Sequence, residues 1–212
     1  MLSAEEIVSQ QDRETRAWHQ SAARATKTGS GTDWLSLVSG QHFANFELWH
    51  IEDEARVPDA TNAEIASVKR RIDPVNQRRN DLAEGLDSAL LGWLEPRSLP
   101  NPAAALHSET PGLIIDRLSI LALKIYHTRE EAERANAPPG HAQRNLDRLA
   151  ILHEQRADLA ACLDALWGEI LAGTKRFKLY RQLKMYNDPS LNPAVYGNSG
   201  AAGQAKLSGE SG

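Results

Sequence analysis

Seven residues spaced by threes and fours, Leu35, Val38, His42, Asn45, Trp49, Asp53 and Arg56, fall on one face of a single helix. The start of that stripe is apolar, as a face packed on a core should be. Its later part sets an imidazole, an amide, a carboxylate and a guanidinium around an indole. A buried polar group costs about 1–3 kcal/mol unless it is bonded. A seam of this kind is therefore either paired internally or used on a ligand.

Two more segments repeat the pattern. Ile65, Lys69, Ile72, Asn76, Arg79, Ala83 and Leu86 share a face on which Lys69, Asn76 and Arg79 interrupt the apolar stripe. Segment 111–127 is apolar nearly all round, the mark of a central helix. There Asp116 and His127 fall on a stripe with Ile120 and Leu123, and Arg117 and Lys124 on the next. The expectation is a polar pocket between the three helices, lined by His42, Asn45, Trp49, Asp53, Arg56, Asn76, Arg79, Asp116, Arg117, Lys124 and His127. Guanidinium forks match phosphate and carboxylate geometry, so the ligand expected there is anionic and sugar-phosphate-like. The competing expectation is a structural network in which Asp53 and Arg56 form an i,i+3 ion pair.

Other spacings carry less. Glu47-Leu-Trp-His50 has the Glu-x-x-His step of di-iron bundles, but such sites need two of these motifs and further glutamates. No metal site is expected. Asn80-Asp-Leu-Ala-Glu84 mimics a magnesium motif, and Glu52-Asp-Glu54, the one acidic cluster available to face it, has the wrong spacing; both read as solvated charge. His153 reads as a bonded core-edge histidine and Cys162 as a small core residue. Lys175 to Tyr186 interleaves five cations with Phe177, Tyr180 and Tyr186. Such texture fits RNA, an acidic membrane surface or an acidic partner; the acidic chain favours instead a terminal helix whose aromatics pack while its lysines snorkel. No Ser-His-Asp order, phosphate-cradling glycine loop or dinucleotide fingerprint is present.

The elements that must position these residues are helical. Ala and Leu far outnumber Val, and no β-branched run alternates with period two. The fold expected is all-α, a bundle of about five long helices. The first runs from Ser3, a cap with Glu6 three residues on, to about Thr26, and Gly29-Ser-Gly31 breaks the chain. The second spans 33–56 and stops at Val57-Pro58. The third runs from Thr61 or Asn62 to about Trp93, with Pro74 predicting a kink or break near 70–73. A long loop covers 95–111, with a short turn at 103–106. Thr110-Pro111 opens the fourth helix, which ends near Asn136. The fifth spans 142–171 with a buried stripe of Leu149, Leu152, Leu159, Leu163, Leu166 and Ile170. A short basic helix follows over 174–186. The domain is taken as 1–188 and the Gly/Ser/Ala-rich remainder, 189–212, as a disordered tail.

Bulk properties bound the function. The chain has 212 residues and a net charge of −4, so a wholesale electrostatic nucleic-acid binder is not favoured. A single cysteine leaves no intrachain disulfide framework. The acidic opening lacks a signal-peptide pattern, and no run reaches the ~18 apolar residues of a membrane span. A cytoplasmic location is the expectation.

Several blocks resemble a known family. Leu48-Trp-His-Ile-Glu-Asp-Glu-Ala-Arg56, Glu109-Thr-Pro-Gly112 leading into Ile115-Asp-Arg-Leu118, Lys124-Ile-Tyr-His127 and Lys184-Met-Tyr-Asn-Asp-Pro189 resemble the uncharacterised bacterial domain of unknown function 4254, over about 34–193. That resemblance implies a setting among glycosyltransferase and surface-polysaccharide genes, and a role in envelope glycan assembly. It carries over no catalytic residues and no cofactor.

Three readings stay open. One is an accessory or binding protein working with a glycosyltransferase, holding a sugar phosphate or nucleotide sugar. The second is an enzyme on a phosphorylated or glycosylated substrate, with His42, Asp53, Asp116 or His127 in acid–base roles and Arg56, Arg79 and Lys124 holding the anion. The third is a structural homodimer with a paired polar core.

Overall fold

Thr61 and Thr110 start two helices by the same device. The Thr61 hydroxyl accepts from the Glu64 amide while the Glu64 carboxylate accepts from the Thr61 amide at 2.8 Å, a complete capping box. The Thr110 hydroxyl accepts from the Leu113 amide at 3.3 Å, with Pro111 at the first helical position. These caps open α3 (Asn62–Leu94) and α4 (Pro111–Glu133); the others are α1 (Ala4–Gln20), α2 (Trp34–Glu54) and α5 (His141–Leu171). The structure, a computed structural model, describes residues 2–20, 34–183, 190, 191 and 193.

The architecture is an all-α bundle built round α4, which packs on each of the other four helices. Ile114, Ile115, Leu118 and Leu123 of α4 are at most 2% exposed. Leu86, Leu90 and Leu94 of α3, Leu163 and Ile170 of α5, Val38 of α2 and Ile7 of α1 close the core around the first three, while Leu123 packs in a second cluster with Trp18 and Phe46. Burying a side chain of this kind contributes about 1.5–3 kcal/mol. At Gly112 a Cβ would lie 2.4 Å from the Ala83 carbonyl, so only glycine lets α4 start this close to α3.

Several expectations differ from the structure. α3 runs without a break through Pro74. Pro74 and Arg70 are both exposed, so water can take the carbonyl that the proline leaves unbonded. α4 ends at Glu133, not near Asn136. The basic segment after α5 is not a helix within the described residues. Gly173, at φ +72°, ends α5. The chain then pairs in parallel, Lys175 with Ala105 and Arg176 with Leu106, as strands β1 (Ala105–Leu106) and β2 (Lys175–Arg176). Phe177 becomes fully buried in the core. That tertiary pairing overrides the helical preference of the cations; the turn expected at 103–106 lies slightly earlier, closed by the Ala104 amide on the Asn101 carbonyl at 3.0 Å, and Ala105–Leu106 is strand.

The chain divides into compact units Met1–Leu179 and Tyr180–Gly212. Tyr180–Leu183 has no regular structure and is exposed. Residues 21–26 of the expected first helix, the Gly29–Gly31 break, residues 184–186 and nearly all of the expected tail lie outside the described residues. Cys162 is exposed, not a core residue, because it lies off the buried Leu159–Leu163–Leu166 stripe of α5. His153 is exposed too. No helix among the described residues is long and apolar enough to cross a membrane.

Candidate functional site

The eleven residues of the three stripes do not gather in one pocket. The structure divides ten of them among four places and leaves Asn76 apart on α3.

His42, Asn45, Arg79 and Asp116 meet in a largely buried knot joining four helices. Asp116 Oδ1 accepts from Gln41 Nε2 at 2.5 Å, Asn45 Nδ2 at 2.9 Å and Arg79 Nε at 2.8 Å. Arg79 Nη2 closes the fork on Asp116 Oδ2. Asn45 also donates to Ser119 Oγ at 2.9 Å, and Ser119 Oγ lies 2.7 Å from His42 Nδ1. His42 Nε2 lies 3.0 Å from the Gln11 carbonyl and 2.9 Å from Thr15 Oγ1.

Those bonds set the tautomer. A carbonyl only accepts, so the proton sits on Nε2. Nδ1 then accepts from the Ser119 hydroxyl, whose oxygen accepts from Asn45. Complete burial pushes the His42 pKa down to about 3 and keeps the ring neutral. The hydrogen bonds from Arg79 to Asp116 in turn raise the Arg79 pKa. Gln11, Thr15, Gln41 and Ser119 complete this knot. The stripes single out none of these four, although Gln41 precedes His42 and Ser119 lies one turn after Asp116.

Asp53 and Arg56 point to solvent. Arg56 donates to Asp53 Oδ1 at 2.8 Å and to Glu52 Oε2 at 3.1 Å, with its side chain 65% exposed. This is the ion pair of the competing expectation, and solvent screening makes it worth little. Asn76 is half-buried on α3 one turn before Arg79.

Trp49 and His127 stack with their ring planes 6° apart and belong to an aromatic cluster at the α1–α2–α4 junction. His19 and His50 join it, with His19 centroids 5.1 Å from His50 and 5.0 Å from His127. One ring nitrogen from each of the three lies within 4.8 Å of the others. His50 is the histidine of the Glu-x-x-His step, but Glu47 turns away to pair with Arg78. The three histidines come from three helices, so no spacing in the sequence announces them.

Arg117 and Lys124 line a cleft of about 710 Å³ between α4 and α5. Ile114, Ile120, Leu121 and Leu159 form its apolar walls, and Gln155, Asp158, Glu109 and His107 add polar groups. Arg117 Nη1 donates to Glu109 at 2.7 Å. His107 Nδ1 lies 2.7 Å from the Glu109 carbonyl, which leaves its Nε2 free of that bond. Lys124 is exposed and makes no ion pair among the described residues.

Comparison with known proteins places this geometry in a family. No curated protein and no solved structure matches the chain. Residues 35–179, well over half of the chain, match the profile of a family described as protein of unknown function, DUF4254. That span holds the Asp116 knot apart from its α1 members, and the whole cleft between α4 and α5. The chain belongs to the DUF4254 family.

Proposed function

We propose that this protein binds a sugar phosphate or nucleotide sugar in the α4–α5 cleft, as an accessory partner of a glycosyltransferase in surface-polysaccharide assembly. The observation that carries the reading is Lys124, an ammonium without an ion-pair partner among the described residues, on the same wall as Arg117. Together they would hold a phosphate, Arg117 by exchanging its Glu109 bond for the ligand. Asp158, Glu109 and Gln155 offer acceptors and an amide for sugar hydroxyls. Ile114, Leu121 and Leu159 offer an apolar floor for the ring's CH face. The enzyme reading draws less support, because His42 and Asp116 spend their polar atoms on one another's network.

The test is a thermal-shift screen of the purified chain against sugar phosphates and nucleotide sugars. A ligand that binds only the folded state stabilises it by about 2.7 kcal/mol at a hundredfold excess over its Kd. The expected result is a shift with one ligand class that vanishes in Lys124→Ala. The reading fails if no such ligand shifts the transition, or if Lys124→Ala and Arg117→Ala respond like the parent chain.

A further inference from the structure

His19, His50 and His127 share a feature that ordinary surface histidines lack. Each ring has its Nδ1 committed to an acceptor. His19 Nδ1 lies 2.7 Å from the Thr15 carbonyl and His50 Nδ1 2.8 Å from the Phe46 carbonyl, each one turn back on its own helix. His127 Nδ1 lies 2.9 Å from Glu130 Oε2. Carbonyls and carboxylates only accept, so all three Nδ1 atoms carry protons and all three Nε2 atoms carry lone pairs. Histidines that ligate metals are oriented in this way, with the far nitrogen bonded to a carbonyl or carboxylate.

The Nε2 atoms of His19 and His127 are buried and have no hydrogen-bond partner among the described residues. An unbonded buried acceptor costs free energy and points to a missing occupant. Packing holds the rings in place. Tyr126 stacks on His19 at 4.0 Å, Trp49 on His127 at 5.0 Å, and Phe46 lies 4.3 Å from His50.

We propose that His19, His50 and His127 form a binding site for a divalent transition-metal ion of the zinc type, held by the three Nε2 atoms.

Imidazole suits zinc, copper, nickel and iron, whereas magnesium and calcium prefer oxygen. Nitrogens on a tetrahedral zinc at about 2.0–2.1 Å stand roughly 3.3 Å apart. One ring nitrogen of each histidine lies within 4.8 Å of the others, so the triad must close by about 1.5 Å at most. Three protein ligands leave a further position for water or an incoming oxygen. His50 also lines a cavity of about 280 Å³ with Phe43, Glu47, Ile51 and Arg71. The site lies at the α1–α2–α4 junction and shares no residue with the α4–α5 cleft, so it stands or falls independently of sugar binding.

The experiment titrates the untagged, chelator-stripped full chain with zinc by calorimetry and with cobalt by its visible d–d absorption. The expected result is saturation at about one equivalent per chain with nitrogen-type cobalt bands. His50→Ala should abolish it, and Cys162→Ser should leave it intact. Should the histidine variants fail to fold, Glu130→Gln decides. Glu130 is exposed, and loss of its carboxylate should weaken zinc binding by about tenfold or more. Absence of saturable binding in the parent chain overturns the site. So does unchanged affinity in folded His50→Ala or in Glu130→Gln.

Discussion

Arg79 of α3 and Asp116 of α4 stand 37 residues apart in the chain, and the guanidinium of one closes on the carboxylate of the other with Nε 2.8 Å from Oδ1. The same carboxylate takes Gln41 and Asn45 from α2. One charged pair thus ties three helices at the centre of a buried polar network. Arg79→Ala would strand a buried carboxylate. Removing one partner of a buried pair costs about 3–5 kcal/mol. The Arg79 side chain is 23% exposed, which favours the lower end, near 3 kcal/mol. Urea unfolding of Arg79→Ala and Asp116→Leu, alone and combined, measures it. The double variant should lose clearly less than the sum of the two, and strict additivity would contradict the coupling.

His42 makes stability depend on pH in a predictable direction. Its folded pKa, about 3, lies below the ordinary value of 6.5 because the ring is desolvated. Between those values the unfolded chain binds a proton that the native state refuses, so its contribution falls as pH drops from about 6.5 toward 3. NMR of ring-labelled histidine provides the direct check. At about pH 5 His42 should remain a neutral ring protonated at Nε2 while exposed histidines are charged. A charged His42 at that pH would refute a folded pKa near 3.

Asp87 is expected to behave in the opposite sense. Burial raises its pKa to about 6, although the Gly112 amide at 2.7 Å and Thr110 bond to it. Its folded pKa exceeds the unfolded 3.8, so its contribution is fully present at low pH and is lost as pH rises through that window. Asp87→Asn keeps an acceptor for Gly112 and removes the charge. It should gain stability relative to the parent as pH climbs from about 4 to about 7, read from denaturant midpoints at several pH values.

Two glycines should respond in opposite ways to the same substitution. At Gly112 an added methyl meets a backbone oxygen at 2.4 Å and the Asp87 carboxylate at 2.9 Å, so α3 and α4 must move apart. Overpacking of this kind costs about 1–3 kcal/mol, toward the upper end where backbone is the obstacle. Gly92 is exposed in α3, and a methyl added there would meet nothing within 4 Å. Gly92→Ala should therefore add about 0.5–1 kcal/mol of helix propensity. Each kcal/mol shifts Tm by roughly 2–4 °C in a chain of this size. Calorimetric melts of the two variants should move in opposite directions.

In the cleft, Lys124→Ala should weaken any bound sugar phosphate by about tenfold to a hundredfold, the scale of a charged hydrogen bond. Equilibrium titration with the ligand found by thermal shift supplies the number. Arg117→Ala should cost less, because Glu109 already competes for that guanidinium.

Local rules make much of the bundle legible. Threonine caps, the proline after Thr110 and the glycine after α5 mark helix ends to within a few residues, because capping depends on residues three or four apart. The threes-and-fours stripe likewise puts His42, Asn45 and Asp116 on inward faces, since the helical period alone decides that. What those residues meet is beyond its reach. Whether Asp116 faces a ligand or Arg79 depends on how α3 lies against α4, which close approach at Gly112 governs. The strand at Lys175–Arg176 requires the partner strand Ala105–Leu106, far earlier in the chain, so the basic run taken alone reads as a helix. His19, His50 and His127 share no spacing at all; three helices have to pack before their nitrogens converge. Periodicity is a property of one segment, and convergence is a property of several packed together.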